Sequence, residues 1–238
     1  MVLETIASGS SGNCYALYGE ENDILLLDLG VSEKVIKKGI DWKISNVVGA
    51  VVSHSHSDHA KSAGTFEKMG ISVFKPYRIL DDRQLDDRKM LAAQLGNFKV
   101  RAFQVPHNGT RNCGFVIQGY GHTVLYMTDY EYCPYNFRKT PIDTMLIECN
   151  YISDMANADA ANYEHKVLGH AELDTVRRFI MASRTDTLNN IILCHLGQGT
   201  SDKGRIISEI KKVAIGVNVD VAEPKSGWIL MPPGECPF

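Results

Sequence analysis

Metal-binding side chains crowd into one short stretch of this 238-residue sequence. The run VVGAVVSHSHSDHA, residues 47–60, delivers His54, His56, Asp58 and His59 directly after an apolar segment. Alternate side chains of an extended chain share a face, so His-x-His presents two imidazoles to one ion. Asp58 and His59 follow where the chain turns toward a helix, and they can face a second ion nearby. Imidazole and carboxylate are ligands for zinc, manganese or iron. Three more residues of this kind stand at predicted strand ends: His107 follows FKVRAFQVP, Asp129 ends TVLYMTD, and His195 ends NNIILCH. The ends of strands are where open α/β folds gather their chemistry. A lone histidine there is usually structural. Four separate segments, each ending in metal-type donors, form a pattern that a chance polar loop does not produce.

Strands must carry these residues. β-branched runs predict them near 2–7, 14–18, 24–28, 47–53, 71–74, 98–105, 113–118, 123–129, 144–148, 191–195, 218–222 and 228–231. Helical periodicity marks 32–38, 59–69, 82–95, 159–168, 171–182 and 203–213. Strands dominate the first half, and helices alternate with strands in the second, which predicts sheets covered by helices. No repeat or Pro/Gly linker divides the chain, so one domain over residues 1–238 is expected. Residues are 44% hydrophobic and 22% charged, enough for one sizeable core, and the net charge of −3 argues against coating nucleic acid through bulk charge. No apolar run reaches bilayer-spanning length and the first residues do not read as a signal peptide, so no membrane contact is expected. Six cysteines without CxxC pairing read as reduced thiols, which predicts a cytoplasmic location.

The ordered set His54-x-His56-x-Asp58-His59, His107, Asp129, His195 resembles the metallo-β-lactamase fold superfamily. LLLDLG, residues 25–30, is similar to that family's early strand ending in Asp28. The resemblance implies an αββα four-layer sandwich of mixed α/β class with two divalent metal ions, Zn2+ or Mn2+, at its edge. It assigns His54, His56 and His107 to one ion, Asp58, His59 and His195 to the other, and Asp129 as a bridge. Asp28 is expected to orient the metal loop from behind. Two cations about 3.5–4 Å apart can share a hydroxide and clamp the oxygens of a phosphodiester. Asp58 is expected to orient that hydroxide and accept its proton.

Narrower motifs point to one branch. IASGSSGNCYAL, VPHNGTRNCGFVI, LIECNY, LGHAELDTV and ILCHLGQGTSD together resemble the small YycJ/WalJ-like hydrolases, a group linked to 5′→3′ exonuclease activity on DNA. An inserted β-CASP domain is not expected in 238 residues. Only YEYCPYNFRKTPI, residues 130–142, follows Asp129, which is not the long arm of transfer-RNA processing enzymes. The loop at 9–13 reads as a Gly/Ser turn whose Ser10, Ser11 and Asn13 bind phosphate oxygens. His170, ahead of the helix AELDTVRRFIMA, is expected either to protonate the leaving oxygen or, as a cation, to stabilise the pentacoordinate charge. Ala171 and Glu172 replace the small hydroxyl residue of related phosphodiesterases, so capping of that helix must differ. His122 and His165 read as surface residues, Cys149 and Cys194 as core. The charged run DDRQLDDRKM, residues 81–90, reads as a solvated helix face. Lys34, Lys37, Lys38, Arg78, Arg83, Arg88, Lys203 and Arg205 would favour a polymer if they lined one rim. The partner is therefore a nucleic acid, with DNA favoured, or a nucleotide. A cyclic-nucleotide phosphodiesterase or other small-molecule metallohydrolase is the first alternative, and a non-catalytic metal-binding sensor the second. The oligomeric state is open, with a homodimer as one option.

Overall fold

Short apolar runs of this chain pair edge to edge into two sheets whose ends meet. The computed structural model describes residues 1–79, 91–157 and 163–230. The first sheet begins with β1 (Val2–Ala7), β2 (Cys14–Tyr18) and β3 (Ile24–Leu27). Helix α1 (Glu33–Gly39) leads to β4 (Val47–Val51), and two short helices, α2 (Ser57–Ala60) and α3 (Ala63–Lys68), lead to β5 (Val73–Phe74). The second sheet is built from β6 (Leu91–Leu95), β7 (Phe98–Val105), β8 (Asn112–Gly119), β9 (His122–Met127) and β10 (Thr144–Glu148). After α4 (Tyr163–Gly169) and α5 (Leu173–Ser183) it continues with β11 (Asn190–Cys194), α6 (Lys203–Val213) and β12 (Asn218–Val221). Strand β13 (Gly227–Ile229) returns to the edge of the first sheet beside β1.

The strand orders are β13-β1-β2-β3-β4-β5 and β12-β11-β10-β9-β8-β7-β6. β9, β10, β11 and β12 run parallel, so their C-terminal ends point the same way. β9, β10 and β11 are buried along their whole length, as unbroken apolar runs in a covered parallel sheet should be. Period-two alternation divides their side chains. Val124 and Tyr126 pack between the sheets with Leu17, Leu25 and Phe115. Leu125 and Met127 face outward onto Val176 and Ile180 of α5 and Ile206 and Ile210 of α6. Ile36 of α1 and Phe66 of α3 join the inter-sheet cluster from the first sheet's side. The layers are thus helix, sheet, sheet, helix, the αββα arrangement expected. Each large apolar side chain fully buried there is worth about 1.5–3 kcal/mol.

Several elements differ from expectation. Residues 91–95, expected as the end of a helix, form β6, which pairs antiparallel with β7 from Leu91↔Ala102 to Leu95↔Phe98. Leu, Ala and Gln are good helix formers, but intrinsic propensity is a weak force that strand pairing overrides. The helix expected over 59–69 is broken at Lys61–Ser62, where the Ser62 amide turns to bond the Leu29 carbonyl. His122 is not a surface residue: it is 2% exposed, and its Nδ1 lies 3.6 Å from the buried Asp143. Glu172 caps α5 by accepting from the amides of Asp174 (2.5 Å) and Thr175 (3.3 Å), which occupies the added carboxylate next to His170. The charged run 81–90 with Arg83 and Arg88, residues 158–162, the His165 side chain, Met231 and Cys236 lie outside what is described.

Candidate metal centre

The ends of both sheets converge on one edge of the sandwich. The first sheet contributes Asp28, just beyond β3, and His54 to His59, just beyond β4. The second contributes His107 beyond β7, Asp129 beyond β9, Glu148 at the end of β10 and His195 beyond β11. Asp28, Asp129 and His195 have φ of 57°, 51° and 51°, a left-handed conformation that non-glycine residues seldom adopt. Each turns the chain sharply at its strand end, and strain of this kind concentrates at functional sites. Gly30 is equally constrained. A Cβ placed on it would lie 1.6 Å from the Asp58 carbonyl oxygen, so only glycine lets the β3 loop meet the His54–His59 loop.

Two donor pockets result. In the first, His54 Nε2 lies 3.0 Å and His107 Nε2 3.3 Å from His56 Nδ1. In the second, His59 Nε2 lies 3.4 Å from Asp58 Oδ2 and 3.3 Å from Asp129 Oδ1, and His195 joins the same group. Asp129 faces both pockets. Its Oδ2 is 3.9 Å from His54 Nε2 and from His107 Nε2, while its Oδ1 turns to His59 and His195.

Residues behind the rings fix which nitrogen looks inward. His59 Nδ1 donates to Asp28 Oδ2 at 2.6 Å, and Asp28 also accepts from the Ser53 amide, the Ser53 hydroxyl and the Tyr126 hydroxyl. His107 Nδ1 donates to the Gly169 carbonyl at 2.6 Å. His195 Nδ1 meets Glu148 Oε1 at 2.6 Å. Such outer partners are what metal-ligating histidines require. Burial lowers the basicity of His54 and His107, so both favour the neutral, ligating form. Burial also opposes charge on Asp129, but His195 and His59 outweigh it and hold the carboxyl well below its usual range. For His59 the carboxylates of Asp129 and Asp28 overcome burial and raise the pKa.

The donor set fits a pair of metal ions. Ring nitrogens with inward lone pairs converge at 3.0–3.3 Å, and His195 Nε2 is fully buried with no hydrogen-bond partner among the described residues. A cation in each pocket resolves both features. Asp58, with a side chain 25% exposed, stands at the solvent side of the second pocket.

The profile of the Beta-lactamase superfamily domain matches residues 40–184. The chain belongs to the β-lactamase superfamily. It is a hydrolase of the metallo-β-lactamase fold, with His/Asp clusters suited to a dinuclear site. Within the superfamily it is 25% identical to the exodeoxyribonuclease YycJ of Bacillus anthracis over 145 residues, which are 55% of this chain and 54% of that protein. The match therefore spans about half the length of that relative. The metallo-β-lactamase fold protein YhfI of Bacillus subtilis superposes with a TM-score of 0.71 at 19% identity, covering 95% of this chain and 98% of its own. Human tRNase Z, short form, superposes at 0.62 with 14% identity, covering 97% and 100%.

The remaining expected residues fall in three places. His170, 12% exposed, borders both pockets with Nδ1 2.8 Å from Glu148 Oε1. Ser10 and Ser11 are exposed in the loop before β2. Asn13, expected to touch substrate, is fully buried: its Oδ1 accepts from the Gly9 amide, and its Nδ2 donates to the Gly9 carbonyl and reaches His59 Nε2 at 3.1 Å. Its part is to hold the loop against the second pocket. Three of the basic residues are committed elsewhere: Lys37 pairs with Glu33, Lys203 with Glu223 and Arg205 with Asp154. Glu148 is the residue that sequence reasoning passed over. It accepts from His195, His170, the Asn150 side chain and the amides of Tyr130 and Ala171, and the two histidines keep its pKa low against burial. The available signal was its position at the end of TMLIE, the same signal that marks Asp129 and His195.

Proposed function

We propose that the chain is a dinuclear metal-dependent phosphodiester hydrolase, and within that class a 5′→3′ exonuclease acting on DNA. The observation that carries the class is the Asp129 carboxylate, which divides its two oxygens between two adjacent histidine-rich pockets. Similarity to the YycJ exodeoxyribonuclease supports the finer reading. His54, His56 and His107 would hold one ion, Asp58, His59 and His195 the other, and Asp129 both. Two divalent ions, zinc or manganese, would supply Lewis acidity toward a phosphoryl oxygen and lower the pKa of a water.

The chain's own groups do the rest. Asp58, at the exposed side of the second pocket, orients the attacking water and takes its proton on a carboxylate oxygen. Glu148 holds His170 by Nδ1, and His170 passes a proton to the departing oxygen. Ser10 and Ser11 contact the phosphate from the exposed loop that Asn13 anchors. Buried pockets at the sheet edge keep bulk water from the donors and strengthen each charge interaction there. The free, mostly buried cysteines fit a reducing compartment, and we place the enzyme in the cytoplasm. Among the described residues no helix is long and apolar enough to cross a membrane.

The test offers Mn2+- or Zn2+-loaded protein 5′-phosphorylated single- and double-stranded DNA, matching RNA and cyclic mononucleotides. The expected result is mononucleotide release from DNA 5′ ends, abolished in Asp58→Ala. Cleavage of cyclic nucleotides with polymers untouched overturns the exonuclease reading and keeps the class. No phosphodiester cleavage with any metal overturns both.

A further inference from the structure

An exposed aromatic side chain stands beside this site with no structural task. Tyr132 follows Asp129 by three residues, so its Cα lies within about 11 Å of the bridging residue's. The two residues between them are tied down. Tyr130 is buried, its amide donating to Glu148 Oε2 and its hydroxyl to the Glu148 carbonyl. Glu131 donates its amide to the Pro106 carbonyl at 2.9 Å, and its Oε1 accepts from the Asn108 amide at 3.1 Å. The loop is thereby pinned to the segment that carries His107, on the side of the centre where His170 also lies: the ring centroids of His107 and His170 are 5.5 Å apart.

Tyr132 itself is 54% exposed, and no hydrogen bond or ring contact holds it among the described residues. The Asn108 amide also donates to the Leu168 carbonyl at 2.8 Å, which brings Leu168, 49% exposed, to the same backbone junction. Two exposed side chains, Tyr132 and Leu168, are thus carried by segments that both bond the Asn108 amide, next to a centre suited to phosphodiesters. Exposed apolar groups gathered in this way mark binding surfaces, and a free aromatic face suits a nucleobase in particular.

We propose that Tyr132 is the stacking platform for the nucleobase on the leaving-group side of the scissile phosphate, with Leu168 as its apolar border. The proposal rests on the phosphodiesterase reading and adds a recognition element for nucleosides. Stacking is tolerant of base identity, so Tyr132 would confer a preference for nucleosides over other phosphodiesters without reading sequence.

The experiment compares two substrates on metal-loaded enzyme: a 5′-phosphorylated thymidine dinucleotide, and the same molecule with an abasic tetrahydrofuran in place of its first nucleoside. The readout is the ratio of kcat/KM for the base-bearing substrate over the abasic one, in wild type, Tyr132→Ala, Tyr132→Phe and Tyr132→Trp. The proposal expects this ratio to fall roughly tenfold in Tyr132→Ala, through KM, and to be retained in the two aromatic variants. Because Tyr132 is exposed and makes no internal bond, all three variants should melt with the wild type. An unchanged ratio in Tyr132→Ala, or an equal loss in Tyr132→Phe, overturns the proposal while leaving the hydrolase reading intact. Failure of the wild type to cleave either substrate overturns that reading and the proposal with it.

Discussion

Replacing Glu148 by glutamine keeps its volume and tests whether one buried carboxylate organises the catalytic edge. Every group that faces this carboxylate is a donor. His195 Nδ1, His170 Nδ1 and Asn150 Nδ2 approach Oε1 at 2.6, 2.8 and 3.2 Å, and the amides of Tyr130 and Ala171 approach Oε2 at 3.2 Å each. A carboxamide carries its own NH2 on one side, so either the Tyr130 and Ala171 amides or the Asn150 amide and the two imidazoles lose their acceptor, at least two donors in each case. Hydrogen bonds to a charged group are worth about 1.5–3 kcal/mol each, so losing one facing pair costs about 3–6 kcal/mol in the metal-free protein. Loosening His195 should in addition weaken metal binding by about 10–100-fold, the usual effect of removing an outer-shell partner. Urea unfolding of chelator-treated protein measures the first quantity, and competition with a fluorescent chelator the second. If Glu148→Gln unfolds within about 1 kcal/mol of wild type and holds metal within about threefold, the carboxylate does not organise this edge.

Three further perturbations separate the parts. Gly30→Ala would set a Cβ 1.6 Å from the Asp58 carbonyl, so the two loops must part; a stability loss of more than about 1–3 kcal/mol is expected in urea, with weaker metal binding. Asp28→Asn leaves the pocket ligands in place but disturbs the acceptor of His59, Ser53 and Tyr126; metal affinity should fall about 10–100-fold, measured by chelator competition. His170→Ala should lower kcat on a phosphodiester by roughly 10²–10⁴-fold while metal content stays at the wild-type level. A fall in metal content would instead make His170 a ligand, within the group it forms with Asp129, Glu148 and His195.

The site was largely legible in the sequence because each donor ends an apolar run long enough to be read as a strand. Parallel pairing of β9, β10 and β11 then brings Asp129, Glu148 and His195 to one edge without further instruction. Glu148 escaped notice because a single acid after TMLI lacks the repetition that marks His-x-His. What distinguishes it is the convergence of five donors, most of them from distant segments, which only the fold creates. Asn13 was misread for a related reason: its residue type suits a phosphate, but burial against His59 commits its amide inside the protein. β6 was hidden because Leu91, Ala92, Ala93 and Gln94 carry helical propensity, while their conformation is decided by β7 alongside. The ion pairs of Lys37, Lys203 and Arg205 depend on neighbours that spacing alone does not reveal, except for the i, i+4 pair Glu33–Lys37.

The central claim is that two adjacent pockets share the Asp129 carboxylate and each hold an ion. Stripping the protein with chelator, reloading it with zinc or manganese, removing free metal and counting ions per chain by mass spectrometry tests this most directly. Two ions per wild-type chain, with occupancy reduced in Asp129→Ala, is the predicted result. One ion or none in the wild type, or two ions undisturbed in Asp129→Ala, would contradict it.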